Sequence, residues 1–308
     1  MKHIFNQVLF IKGMAMGAAN VIPGVSGGTI ALITGIYKEL IDAIKSFDME
    51  AIKLFFGFKW KAFAQKTNLK FLVPVLTGLI VAILSLARLF EYLFVHYPVF
   101  IWAYFFGLVL ASVYYVGKTV ERWYTATYIS FIIGTAIAIV VSIMHPATEN
   151  SHPVYLFFSG VISIISMILP GLSGSFVLIL LGDYQLVAIK AINHFDLKII
   201  IPFALGAVVG LIAFSHFLSW LFKNYKNQTI ALLTGFILGS LSVLWPWKKA
   251  VYLMQNGEIL TKHGKKIISY YDKVLPPAYD LHFFLAVVLM IVGIISIVWI
   301  EKSSQQEA

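Results

Sequence analysis

The sequence predicts an all-α polytopic membrane protein made of two inverted repeats, each a re-entrant broken-helix hairpin followed by about three transmembrane helices. Composition is the first of three observations behind this. Of 308 residues, 60% are hydrophobic and 12% charged, against roughly 25% charged in a soluble domain, and mean hydropathy is +0.87. The second is a set of six long apolar stretches within residues 71–95, 99–116, 128–144, 199–222, 229–245 and 281–300, close to the ~20 residues that cross a bilayer core. The third is repetition. Residues 10–37 return 147 positions later as residues 157–184, so that Gly13 maps to Gly160, Pro23 to Pro170, Ser26 to Ser173 and Tyr37 to Tyr184.

The repeated stretch is apolar and broken in the middle both times. Hydrocarbon offers no partner for an opened backbone, so Pro and clustered Gly at this depth require a protein-lined cavity. Paired breaks in two halves of a transporter mark a binding site. The first break belongs to the mature protein rather than to a signal peptide, because Lys12 interrupts the apolar run and the run has an internal counterpart.

The first repeat is assigned residues 1–145, with hairpin 4–46 and helices 71–95, 99–117 and 126–145. The second is assigned 146–302, with hairpin 155–194 and helices 199–222, 229–247 and 281–300. A second offset, 128, relates Lys70, Pro74, Gly78 and Val81 to Lys198, Pro202, Gly206 and Val209. It also relates Ala103, Gly107, Leu110 and Ser112 to Ala231, Gly235, Leu238 and Ser240. The 19-residue difference between the offsets is extra loop around residues 48–68, and the third helix of each half shows no clear residue match.

Apolar pieces of about 13 residues on either side of each break reach only roughly 20 Å of a 30 Å core, so each pair is expected to dip and return. Three crossings then remain per half, and an odd number inverts the second half. Lysines on the side of residues 38–70, 118 and 223–226 fit a cytoplasmic N-terminus. Loop 248–280 is the misfit: it would lie outside with Lys248, Lys249, Lys262, Lys265, Lys266 and Lys273.

At the breaks, Pro23 and Gly24, like Pro170 and Gly171, end the first half-helix as hinges. Ser26 is an expected N-cap, and Gly27, Gly28 and Thr29 open the second half-helix with N–H groups facing a cavity. Ser173, Gly174 and Ser175 repeat the device. Such ends attract anions, phosphate above all. The competing reading is close helix packing alone, and two copies in register favour the site. A GxSxG-like match to a serine hydrolase lacks the strand-turn-helix context that chemistry needs.

Among ionisable residues within apolar segments, Arg88 and its counterpart His216 are candidates to meet an anionic headgroup, and His216 can also change charge near neutral pH. Equally, Arg88 can snorkel to the interface beside Glu91 while His216 satisfies a neighbouring carbonyl. Asp183 and Glu39 are expected at the interface rather than buried, and Lys12, with Ser159 as counterpart, is within reach of a phosphate or the headgroup layer. With no Cys, disulfides, thiol nucleophiles and Cys-ligated metals are excluded. No catalytic residue, metal ligand or cofactor is nominated. The net charge of +9 speaks for orientation and anionic headgroups, not nucleic acid.

The segments GAANVIPGVSGGTIALITGIY and ILPGLSGSFVLILLGDY resemble the bacterial polyprenyl-phosphate transporter family, over nearly the whole chain. The resemblance implies a flippase in the bacterial cytoplasmic membrane that returns undecaprenyl phosphate across the bilayer for reuse in peptidoglycan and other envelope polymers, with the lipid and the bilayer as partners. Undecaprenyl-diphosphate phosphatases are similar in inverted re-entrant repeats and in a PGxSRSxxT motif. Here Gly27 stands at that arginine and Gly28 at the second serine, and no acidic pair precedes the motif. Phosphoryl transfer needs such charge neutralisation and an activated nucleophile, so the residues point to a binder rather than a hydrolase. A secondary transporter for a soluble anion remains the other alternative.

Overall fold

A computed structural model describes residues 6–21, 26–144, 146–184, 186–187, 191, 195–252, 254–255, 258–259, 261–262, 265–266, 268–276 and 279–306. The first half runs α1 (Gln7–Val21), α2 (Gly27–Ile33), α3 (Tyr37–Lys45), α4 (Met49–Phe56), α5 (Trp60–Lys66), α6 (Leu69–His96), α7 (Pro98–Lys118) and α8 (Thr125–Ile143). The second runs α9 (Pro153–Ile168), α10 (Gly174–Leu180), α11 (Leu197–Asn224), α12 (Lys226–Leu244) and α13 (Leu281–Gln306). Among the described residues α6, α7, α8, α11, α12 and α13 are long and apolar enough to cross a membrane.

Each hairpin has one long and one short arm. α1 and α9 have 15 and 16 residues, whereas α2 and α10 have seven each. The expected 13-residue second pieces are therefore too long. The chain leaves both short helices through a left-handed glycine, Gly35 at φ +73° and Gly182 at φ +79°. In each case the next N–H reaches back five residues, Ile36 to Ala31 O at 2.9 Å and Asp183 to Leu178 O at 3.2 Å. This is the Schellman ending that Gly permits without a Cβ penalty.

Two further boundaries have local causes. The helix expected over 229–247 stops at Leu244, because Pro246 drives Trp245 out of the α region to ψ 124°. The segment read as loop 248–280 carries antiparallel ladders, the longest pairing Lys248–Tyr252 with Ile268–Lys273. In the first half, the extra loop folds as α4 and α5, with Asp48 capping α4 through the N–H groups of Glu50 and Ala51. Phe55 stacks edge-on against Phe56, Trp60 and Phe63. Phe56 and Phe58 are 73% and 77% exposed, a surface suited to the headgroup boundary beside Lys53, Lys59 and Lys61.

The long helices pack in pairs: α1 on α6, α9 on α11, α7 on α13 and α8 on α12. The first two pairs stay within a half and the last two exchange partners between halves. Glycines set the spacing of all four. A Cβ at Gly13 would fall 2.1 Å from Val75 O, and one at Gly160 2.2 Å from Phe203 O, the same contact at the two offsets. Gly107 meets Met290 O and Gly235 meets Phe131 O, while Gly134 meets Leu232 O and Gly293 meets Tyr104 O. The third helices thus correspond after all: Gly293 and Met290 stand 159 positions beyond Gly134 and Phe131. Lipid supplies no hydrophobic drive between helices, so this backbone-on-backbone approach holds them together.

Gly134→Ala and Gly293→Ala are expected to destabilise the protein by similar amounts, about 1–3 kcal/mol each. Gly117→Ala, whose Cβ would meet nothing nearer than 3.6 Å, is expected to match wild type. Thermal unfolding of the purified variants in nanodiscs checks both statements.

Candidate functional site at the helix breaks

The first break is closed by its own side chains. Ser26 is extended (φ −112°, ψ 136°) and caps α2 by accepting from Gly28 N at 3.1 Å. Gly27 N donates to Asn20 Oδ1 at 2.7 Å, and Thr29 N to Ser26 O at 2.9 Å. Ser26 and Thr29 are buried, with Gly27 and Gly28 between them. The N-cap at Ser26 is present, but the unpaired N–H groups expected at this end are taken. The cause is Asn20, an amide in an apolar helix three residues before Pro23; a polar side chain at that depth rarely stands idle. Sequence reasoning passed over it.

The second break is open. Ser173 adopts the same extended backbone (φ −105°, ψ 125°) yet makes no side-chain cap. Its hydroxyl lies 2.9 Å from that of Ser175. Among the described residues, no acceptor answers the N–H of Gly174 or Ser175. The reason is again one substitution: at the offset of 147, Asn20 becomes Met167, whose thioether is only a weak acceptor. Nearby on α9, Ser163 Oγ is buried with no hydrogen-bond partner among the described residues. Its carbonyl is the nearest atom to where a Gly174 Cβ would sit, at 2.8 Å.

The two breaks meet. Ser26 Oγ donates to Met167 O at 3.2 Å, and the Tyr37 hydroxyl donates to Ile168 O at 3.1 Å. In return Gly171 N donates to Thr29 Oγ1 at 2.9 Å. Donors at the head of α2 and the start of α3 thus answer the carbonyls that α9 leaves unpaired at its end. Gly28 lets the chains come this close, since a Cβ there would lie 2.5 Å from Ile168 O. Gly171, at φ +82°, turns under Phe236 O. Pro170 and Gly171 form the turn between α9 and α10; Pro23 and Gly24 lie outside the described residues.

Behind the tips the halves differ in charge. Lys12 Nζ donates to Thr34 O at 2.9 Å, binding the carbonyl end of α2. At the matching elbow Asp183 is fully buried, not interfacial as the sequence suggested. Ser159 donates to its Oδ2 at 2.7 Å and Asn150 N to its Oδ1 at 3.2 Å, so donors from α9 and the preceding segment replace water. Glu39 does sit on the surface, accepting from Asn68.

Arg88 is a residue of α6 whose side chain lies outside the described set. His216 is exposed, with Nδ1 2.9 Å from Ile212 O of its own helix.

Six spans and two broken hairpins bonded tip to tip define a multi-pass membrane protein of the transporter class. The chain belongs to the family described as VCA0040-like, undecaprenyl phosphate translocase-like, which matches residues 16–261. It is 36% identical over 304 residues to the polyprenyl-phosphate transporter of Vibrio cholerae, covering 96% of each chain. It is 31% identical over 259 residues to the polyprenyl-phosphate transporter of Staphylococcus aureus, covering 79% of this chain and 87% of that one. No solved structure matches it.

Asn20→Met, which gives the first break the residue of the second, is expected to strand Gly27 N and cost about 1–3 kcal/mol. Tyr37→Phe, which removes one bond between the halves, is expected to cost about 1 kcal/mol. Thermal unfolding in nanodiscs measures both, and Asn20→Met should show the larger loss.

Proposed function

We propose that this protein carries undecaprenyl phosphate across the bacterial cytoplasmic membrane, headgroup inward, so that the carrier lipid is used again in envelope synthesis. The family and the names of both relatives support the substrate. The observation that carries the mechanism is the asymmetric pair of breaks, one satisfied internally and one with free donors.

In this reading the halves are related by inversion, since each hairpin returns to its own side and three spans remain in each half. The phosphate enters between the halves with its polyprenyl chain still in lipid. The second tip receives it first. The N–H groups of Gly174 and Ser175 and the hydroxyls of Ser163, Ser173 and Ser175 take the place of water around the anion.

The bonds from Ser26 to Met167, from Tyr37 to Ile168 and from Gly171 to Thr29 then break as the halves rock. This frees the hydroxyls of Ser26 and Thr29 to face the phosphate from the other side, and the N–H groups of Gly27 and Gly28 join them once the anion displaces their acceptors, Asn20 Oδ1 and Ser26 Oγ. Moving the anion inward against the membrane potential costs roughly 2.3 kcal/mol per charge per 100 mV. A proton carried along offsets part of that, with His216 the titratable candidate on a span and Arg88 its counterpart near the headgroup.

The test is transport of a short-chain polyprenyl phosphate into proteoliposomes, with and without a pH gradient. The wild type should transport, and a gradient that is acidic on the side of entry should speed it. Ser173→Ala with Ser175→Ala should lower the rate about tenfold in a folded protein, the loss of one to two hydrogen bonds to a charged group. Release of inorganic phosphate from undecaprenyl diphosphate above that of empty vesicles would instead return the protein to the phosphatases.

A further inference from the structure

The Lys-rich arm after α12 has no part in the mechanism above, and its side chains are arranged unusually. In the ladder of Lys248–Tyr252 with Ile268–Lys273, Lys249 stands opposite Asp272 and Lys248 stands opposite Lys273. Successive residues of a strand face opposite ways, so one face carries a compensated pair and the other two amines. Like charges directly across a ladder destabilise it. Both amines also reach the helices, Lys248 from a part-buried position and Lys273 from an exposed one. Lys248 Nζ lies 3.4 Å from the centre of the Trp102 ring and donates to Val243 O at the end of α12. Lys273 donates to Ser242 Oγ.

Between Lys273 and α7 lies an open cavity of about 380 Å³, lined by Lys273, Ser242, Phe106, Leu241, Trp245 and Leu275 among others, with Lys248 outside its lining. Its frame is fixed, since Trp245 Nε1 donates to Val274 O at 2.9 Å and Val274 N to Trp247 O at 3.0 Å. Burial, and then the charge of Lys273, pushes the Lys248 ammonium down to about 7, and burial lowers Lys273 as well. An anion seated beside them reverses both effects.

We infer that this cavity is a second binding site, where Lys273 and Ser242 hold the phosphate of a polyprenyl phosphate, the charge of Lys248 across the ladder supports them, and the apolar walls take the first isoprenoid units. The chemistry matches on both counts. Amines and a hydroxyl recognise a phosphomonoester, and Phe106, Leu241, Trp245 and Leu275 offer apolar surface directly beside them. The inference rests on the transport reading. In the inverted topology the arm lies on the outer side, where the lipid would be collected before it reaches the tips. Lysines that break the positive-inside pattern then have a reason to be there.

The experiment is equilibrium binding of radiolabelled farnesyl phosphate to the protein in nanodiscs, with farnesol and inorganic phosphate as competitors. Lys248→Gln with Lys273→Gln should weaken binding about tenfold and slow proteoliposome uptake at low lipid concentration. Lys273→Arg should stay near wild type. Farnesol should compete poorly for want of the anion, and inorganic phosphate poorly for want of the chain. Should the double variant misfold by thermal unfolding, Lys273→Gln alone, at an exposed position, gives the same comparison. Unchanged affinity and uptake in a folded variant would overturn this site and leave the transport reading standing. Inorganic phosphate competing as well as farnesyl phosphate would overturn its assignment to lipid. A wild type that carries no polyprenyl phosphate at all would overturn the transport reading, and this site with it.

Discussion

Everything in this molecule turns on a backbone opened inside the membrane. A helix broken there leaves N–H and C=O groups that hydrocarbon cannot satisfy, and the chain answers by pointing the two breaks at each other. Ser26 and Tyr37 of the first half cover Met167 O and Ile168 O of the second, while Thr29 accepts from Gly171. Each half completes the other. The same bonds hold the halves together, so any motion between them must exchange these partners for others. A phosphate, with several acceptor oxygens, can supply the donors' half of that exchange.

The frame around the breaks is built for close approach. Glycines at matching places in both halves bring helix backbones into contact, and α7 and α8 reach across to α13 and α12. Exchange of partners packs spans of one half on spans of the other although their residues repeat. Symmetry then fails just where function needs a difference. Asn20 against Met167 closes one tip and opens the other, and Lys12 against Ser159 puts a cation behind the first elbow where Asp183, buried, stands behind the second.

Much of the fold was legible because membranes leave few choices. Six apolar stretches of bilayer length gave six spans, and the doubled PGxSG gave the breaks and the resemblance to a family. The parts that were not legible depended on single side chains or on long-range contacts. Nothing in the sequence separates the Gly134 and Gly293 match from chance until both are seen against the carbonyls of Leu232 and Tyr104. Asp183 follows a helix at a place that looks interfacial, and the donors Ser159 and Asn150 make its burial tolerable. Gly35 and Gly182 were visible in register, but the apolar run before each hid the turn they make. Pro246 was in view as well, and it ends α12 before the predicted boundary.

The central claim is that the contact between the breaks opens and closes as the lipid moves. Because the chain has no cysteine, a pair placed at Ser26 and Met167 can be joined by an oxidant and released by a reductant. Uptake of a short-chain polyprenyl phosphate into proteoliposomes should stop on oxidation of that double variant and recover on reduction, while either single variant should be indifferent to both. Undiminished uptake with the crosslink fully formed would contradict a mechanism in which the breaks must part.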